Sequence, residues 1–503
     1  MPQMQHSVNF TNPAWVYLAG IETLETVTTP QGTWVYAGSR ALGGVTGFAV
    51  TDGAATVLGS WAVPGRGSSF LLEEIGWIDV NGQPRLIVTE TASSHVESFA
   101  IGADGRLSGA ISLTGLGSTA IGQIATVATS GGDVVISGAA VTPGLTLFRM
   151  TTPAAATLLP ASGSTVTASL TLPDTPKTAL SDSADVVTFG AAQRFVVNAA
   201  QGDGGLSSFS VAGDGTLTLI DTIGVKEGIW ATGIAALAPV MAHGTQYAAV
   251  AATLSSSLTL VRVNPLGVMF VADHRFDDLT TRFSRLTDVA AFEVGARGFI
   301  VAGGADDGIS LFEVLPDGQL FHHQALAQAP GQVLSNVSAV TVANTGSAVQ
   351  IFIAGSGVQG VTQLVLPKAQ IAAPLIGGAG ADLLSGGAVD DLIWGGAGAD
   401  TLIGGDGRDI LAGGPGADRL TGGNGADIFI FDRGPDRDQI EDFQRGADKI
   451  DLSGWGRVYS PAELTIRSRP TGADVSFEGN TLRIISADGT ALDAMLLADS
   501  FLF

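Results

Sequence analysis

Residues 377–431 read GGAGADLLSGGAVDDLIWGGAGADTLIGGDGRDILAGGPGADRLTGGNGADIFIF. The stretch is six unbroken nonapeptides, beginning at Gly377, Gly386, Gly395, Gly404, Gly413 and Gly422. The sixth position is always an aspartate: Asp382, Asp391, Asp400, Asp409, Asp418 and Asp427. The eighth is always apolar: Leu384, Ile393, Leu402, Leu411, Leu420 and Phe429. Each unit is therefore a glycine turn, a carboxylate and a very short strand with one inward side chain. Stacked units predict a parallel roll with a thin apolar core. Glycine is costly to order, and two carboxylates ~4 Å apart repel by about 4 kcal/mol at an effective dielectric of 20. Three-residue strands do not offset many such terms, so the segment calls for a bridging cation. Ca2+ is a hard ion that takes roughly six to eight oxygens, and glycine lets backbone carbonyls turn inward where a Cβ would clash. The segment is expected to be unfolded without the ion and folded with it, because metal binding supplies folding free energy.

The pattern GGxGxDxUx resembles the calcium-binding parallel roll of RTX, or hemolysin-type, proteins. The resemblance implies several calcium ions held between coils by the six aspartates and turn carbonyls. Val389 departs from it, standing where the fourth position should be glycine, and its turn is expected to be distorted or its site weaker. A phosphate-binding reading of the glycines fails, since no strand–loop–helix context follows and the carboxylates repel phosphate.

The following segment, IFIFDRGPDRDQIEDFQRGADKIDLSGW, resembles the one that follows the roll in secreted serralysin-type proteases, through Asp438, Ile440, Asp442, Phe443, Gly446, Asp448, Lys449, Ile450, Asp451, Leu452 and Ser453. By that analogy Asp438 adds a ligand to the last site, against the plain alternative of a solvated acidic turn. The catalytic helix of those proteases is absent, so their activity does not transfer. The ending ADSFLF, with Asp499 before Phe501, Leu502 and Phe503, is similar to the uncleaved signals read by type I secretion apparatus. The N-terminus MPQMQHSVNFTNPAW has neither a basic nor an apolar leader region. Together these features imply an extracellular protein, exported unfolded at low calcium and folded outside.

The first three quarters of the chain carry a different repeat. DVVTFGAAQRFVVNAAQGDGGLSSFSVAGDGTLTLIDTI (185–223) and DVAAFEVGARGFIVAGGADDGISLFEVLPDGQLFHHQAL (288–326) each hold four short apolar runs separated by turn residues. Alternation in VAAFEV and GTLTLID is strand-like, and the Asp-Gly pairs suit tight hairpins. The second strand recurs at Val35, Leu86, Val134, Phe195, Tyr247, Phe299 and Ile351, the last four 52 residues apart. Seven such units predict a seven-bladed β-propeller rather than a solenoid, whose coils are shorter, or sandwiches, which are less regular. The seventh unit stops after its third strand, and WVYLAG (15–20) is expected to supply the fourth and close the ring. The whole is an all-β chain: propeller over 1–370, roll over 371–432 and a small C-terminal β cap over 433–503.

Among 503 residues there is no cysteine and the net charge is −23. Disulfides and thiolate metal sites are excluded. The surface repels nucleic acid and attracts cations. No apolar run reaches the length of a transmembrane segment. The residues opening the inner strands, Glu22, Glu74, Gly122, Asp185, Gly233, Asp288 and Asn336, are expected to ring the channel mouth. The acids and amide among them would bind a cation there, or simply make turns. His322 and His323 alternate in facing, so they cannot share one metal; a surface pair is expected. Trp34, Trp61 and Trp77 suit core packing or sugar contact. With no acid–base constellation in sight, the propeller is expected to be a scaffold for an extracellular polysaccharide or protein. The alternative is a secreted hydrolase or lactonase with a metal in its channel.

Overall fold

The structure is a computed structural model. It describes residues 3–503 except 12–16, 65–70, 91–93, 117–120, 122, 130–132, 140–141, 160–170, 173–174, 177–182, 190–194, 201–204, 357, 457 and 459. Among the described residues the only helices are short 3-10 turns, and none is long and apolar enough to cross a membrane. The chain divides into two compact units. One comprises Met4–Glu293 and Gly298–Leu366, the other chiefly Pro367–Phe503.

The first unit holds seven four-stranded antiparallel sheets, the blades of a propeller. Blades 1 to 6 run over residues 21–62, 72–112, 123–158, 183–223, 234–276 and 288–327. Blade 7 takes three strands from residues 337–367 and its fourth from Gln5–Phe10, which pairs antiparallel with Val358–Pro367. All seven residues that marked the repeat fall in the second strands of their blades. Closure by an N-terminal strand is as expected, but the strand is QHSVNF and not WVYLAG. Tyr17–Gly20 lies in turns, and Trp15 and Val16 are outside the described residues. The earlier segment wins because Val8 and Phe10 present apolar side chains to the core shared by blades 7 and 1, where Phe10 packs on Phe48 at 4.9 Å between ring centroids.

The blades interlock through side chains that the 52-residue spacing repeats. Asp221 in the outer strand of blade 4 accepts the N–H of Met269 in blade 5 at 2.9 Å. Asp273, its equivalent in blade 5, accepts the N–H of Leu320 in blade 6 at 2.8 Å. Asp288 on the inner strand of blade 6 likewise accepts the N–H of Val340 in blade 7 at 2.6 Å. Each carboxylate satisfies a backbone donor that lies between sheets and outside any ladder.

In the second unit the roll coils once every 18 residues, two nonapeptides per coil, with residues such as Leu402 and Leu420 in register on parallel strands. One parallel sheet contains residues 375–376, 392–394, 410–412, 428–430, 449–451 and 501–502. The other begins with 383–385, 401–406, 419–424 and 437–443 and continues into 480–486, 472–477 and 465–469. Ile393, Leu402, Leu411, Leu420 and Phe429 are wholly buried between them, as the eighth positions should be. The same core continues through Ile440, Ile450, Leu482 and Ile484, so roll and tail share one apolar interior. Asp474 ties the tail's sheet together through Arg483 at 2.8 Å, Arg437 at 3.2 Å, and Arg469. The ending FLF is a terminal strand: Phe501 and Leu502 pair with Ile450 and Asp451.

A chain lacking residues 1–10 leaves the Val358–Pro367 strand as an open edge. Its propeller transition is expected to fall by on the order of 10 °C, with aggregation on heating, in differential scanning calorimetry of the calcium-loaded protein.

Candidate metal centre

The roll aspartates form two ladders. On one, the Asp382 N–H donates to Asp400 Oδ1 at 2.7 Å, Asp400 N–H to Asp418 at 2.8 Å, and Asp418 N–H to Asp438 at 3.0 Å. On the other, Asp391 N–H donates to Asp409 at 2.9 Å, Asp409 N–H to Asp427 at 3.0 Å, and Asp427 N–H to Asp448 at 3.0 Å. One oxygen of each acceptor is thus spent on the backbone one coil back. The other is not: Oδ2 of Asp400, Asp409, Asp418 and Asp427 is buried with no hydrogen-bond partner, on side chains no more than 1% exposed.

The position-1 glycines show what these oxygens face. A Cβ placed on Gly395 would collide with Asp400 Oδ2 and lie 2.6 Å from the Gly413 carbonyl oxygen, and one on Gly404 would meet Asp409 Oδ2 and the Gly422 carbonyl, 2.5 Å away. The unpartnered oxygens of Asp400 and Asp409 therefore each share a small cradle with a backbone carbonyl from the next coil, while those of Asp418 and Asp427 face the glycines Gly413 and Gly422. Oxygen-only cradles with a buried negative charge and no donor fit Ca2+. The ion would be held by Oδ2 of these aspartates with the turn carbonyls, and would supply the positive charge that the fold otherwise lacks.

Position 4 explains Val389. Glycines at positions 2 and 4 of the last four turns, such as Gly396, Gly398, Gly405 and Gly407, have φ between +86° and +156°. A Cβ on Gly398 or Gly416 would strike the carbonyl stacked beneath it, at Gly380 or Gly398. The first coil has no turn beneath it: a Cβ on Gly380 or Gly387 would meet nothing within 4 Å. Val389 belongs to that first coil, where a side chain has room and the left-handed backbone is not adopted. The expectation of a distortion peculiar to its turn is replaced by this end effect.

Of the sequence-predicted ligands, Asp382, Asp391, Asp400, Asp409, Asp418, Asp427 and Asp438 all stand on the two ladders. Sequence reasoning missed Asp448, which is 1% exposed and terminates the second ladder as a cap, its two oxygens accepting the N–H groups of Asp427 at 3.0 Å and Gln444 at 2.7 Å. Its signal was the spacing: Asp448-Lys449-Ile450 repeats the interval of Asp427-Ile428-Phe429, just as Asp438-Gln439-Ile440 does on the first ladder. Asp442 contributes differently, accepting the N–H groups of Gly422 and Gly423 at 2.9 and 2.8 Å.

Burial, reinforced by neighbouring carboxylates, pushes Asp409, Asp438 and Asp448 up to about 7, and Asp418 and Asp427 up to about 6.

Among the described residues no three carboxylate or imidazole side chains are grouped to hold a metal, in the propeller or in the roll, so the roll sites would have to draw on backbone carbonyls beside single aspartates. Glu22, Glu74 and Asn336 do border one cavity of about 500 Å³ at the channel mouth. Asp288 has both oxygens engaged, by Val289 N–H at 2.8 Å and Val340 N–H at 2.6 Å. Glu74 Oε1 accepts from the Thr23 hydroxyl and from Ile75 N–H at 3.1 Å. Asn336 takes a left-handed turn at φ 45° and Gly233 one at φ 65°. Gly122 and the Asp185 side chain are outside the described residues. The histidine pair is not superficial: the His323 side chain is fully buried, 2.6 Å from Glu313, while His322 packs on Phe312 on the opposite face. Trp34 is buried, and Trp61 and Trp77 pack against the same core.

The C-terminal unit is thus a calcium-binding parallel roll of the RTX kind. Residues 376–411 and 403–438 match the RTX calcium-binding nonapeptide repeat family, whose model spans four copies. The first unit is similar in fold to a candidate 6-phosphogluconolactonase from Bacteroides fragilis NCTC 9343, at 14% identity and a TM-score of 0.44, over 64% of this chain and 86% of that one. A second, from Bacteroides uniformis ATCC 8492, is similar at 17% identity and a TM-score of 0.43, over 60% and 84%. No curated protein matches the sequence.

Calcium must displace the protons that these aspartates hold, so affinity is greatest above the raised pKa values and is lost as pH falls through them. The calcium half-saturation point, followed by circular dichroism, is expected to rise roughly tenfold or more per unit below pH 6. Asp409→Asn, in the middle of one ladder, is expected to weaken binding more than Asp382→Asn at the half-buried start of the other. Isothermal titration of the two variants checks the order.

Proposed function

We propose that this is a secreted calcium-binding protein. The roll and cap, 371–432 and 433–503, fold on calcium outside the cell after passage through a type I secretion apparatus. The propeller, 1–370, is the part that binds an extracellular polysaccharide or protein. The observation that carries the reading is the set of four buried Oδ2 atoms with no partner, inside a segment that matches the calcium-binding nonapeptide family. A chain with these atoms is self-repelling wherever calcium is scarce and compact where it is plentiful, which suits export in an unfolded state. The net charge of −23 keeps the unfolded segment soluble and draws cations to it. The serralysin-like character of the tail supports the same route, since Asp438 and Asp448 extend the ladders beyond the last nonapeptide. Adhesion or matrix association is the scaffold role that follows. The alternative, a hydrolase or lactonase with a metal in the channel, has the cavity in its favour, but Asp288 and Glu74 of its expected ring already accept backbone and hydroxyl donors.

Hydrogen exchange of the full chain with mass spectrometry tests the proposal. In EGTA, peptides from 377–451 are expected to lose protection by orders of magnitude, while blade 5 and 6 peptides keep theirs. Equal protection of the roll with and without calcium sinks it.

A further inference from the structure

Blade 5 carries a feature that neither the calcium sites nor the channel uses. Four large apolar side chains stand in solvent there: Trp230 at 65% exposure, Leu254 at 77%, Phe276 at 56% and Leu279 at 99%. All four lie at one end of the blade. Trp230 is in the linker before its first strand and Leu254 in the turn between its second and third. Phe276 ends its fourth strand and Leu279 is in the linker that follows. The repeat does not demand such residues. In the next unit, 52 residues further on, stand Arg282, Asp306, Gln328 and Gly331, none of them a large apolar side chain.

The three connections form one hydrogen-bonded platform. Leu254 N–H donates to the Thr232 carbonyl at 3.1 Å, and Thr232 N–H to the Ser255 hydroxyl at 3.1 Å. Asp277 N–H donates to the Ser256 carbonyl at 2.9 Å, and Arg285 N–H to the Ser256 hydroxyl at 2.9 Å. Asp278 Oδ1 accepts the N–H groups of Thr280 at 2.6 Å and Thr281 at 3.1 Å, so Leu279 stands at the tip of a braced turn. Ile229 and Ala231, on either side of Trp230, are wholly buried, which directs the indole outward. Apolar residues scattered over a surface need no explanation, but a group on one platform does.

We propose that this end of blade 5 docks on a zwitterionic phospholipid surface, with Trp230, Leu254, Phe276 and Leu279 entering the boundary between headgroups and acyl chains. None of the four lines the channel or the cavity at its mouth, so they project and do not wall a groove that a peptide would fill. A sugar is met by an aromatic face with polar groups around it, and Leu254 and Leu279 offer its hydroxyls nothing. Acyl chains take leucine and phenylalanine, while tryptophan favours the headgroup level. Arg282 and Arg285, exposed on the same platform, suit the headgroup phosphate. The chain's net charge of −23 opposes an anionic bilayer, which leaves a zwitterionic one. The inference goes beyond the scaffold reading and does not involve the calcium sites, so its failure leaves both standing.

Co-sedimentation of the calcium-loaded full chain with phosphatidylcholine vesicles tests it. The chain is expected to partition onto them, and the double variant Leu254→Ser, Leu279→Ser to do so at least about tenfold more weakly. Leu266→Ser is the control. That side chain is 69% exposed but lies in the turn between the third and fourth strands, at the other end of the same blade. Its variant is expected to stay within about twofold of wild type. Brominated phosphatidylcholine is expected to quench tryptophan fluorescence, and Trp230→Phe to remove most of that quenching. No bound fraction at about 1 mM lipid overturns the proposal. So does binding that the double variant leaves unchanged, or that requires added phosphatidylserine. Self-association abolished by the double variant, without vesicle binding, makes the patch an interface between copies of the chain and likewise overturns it.

Discussion

A buried carboxylate oxygen with no donor is the constraint on which the C-terminal unit depends. In each coil one oxygen of the aspartate caps the backbone N–H of the aspartate one turn back, and that bond sets the 18-residue stacking. The stacking in turn drives Oδ2 of the same side chain into a cradle beside a turn carbonyl. Glycine at position 1 exists because that cradle has no room for a Cβ, and glycine at positions 2 and 4 because the turn of the preceding coil lies directly beneath. The strands between turns are too short to be stable alone, and their single buried residues provide only a narrow core. Cation, turn and core are therefore one cooperative object, in which removing the charge compensation undoes the geometry that the backbone bonds would hold.

The propeller obeys a different economy. Its blades have wide apolar interfaces, such as that of Phe283, Phe312, Ile300 and Leu260 between blades 5 and 6. Carboxylates there serve as staples, each accepting a backbone N–H of the following blade. The vulnerability of such a ring is the edge that Gln5–Phe10 covers. One chain thus carries a domain built on broad hydrophobic interfaces and another whose narrow apolar core runs beside stacked, partly unpartnered carboxylates.

Much of this was legible in the residue order. Nonapeptide phase determined the roll, its aspartates and its inward residues, because a nine-residue period with glycine turns permits few other structures. The 52-residue spacing determined the blades. Asp438 could be placed by likeness, and Asp448 should have been placed with it, since both keep the interval from aspartate to inward residue. What tertiary structure alone decided was whatever depends on which atoms end up beside one another. QHSVNF closes the ring because Val8 and Phe10 find the Phe48 core, a partner far away along the chain. Val389 is tolerated because its coil has no turn beneath it, a fact about position in a stack. His323 meets Glu313 in the interior, and Asp288 spends its oxygens on a neighbouring blade, because burial makes backbone and side-chain donors compete for the same acceptors. Local pattern specifies which element forms; only packing determines which polar atoms are left without a partner, and those are the atoms that bind.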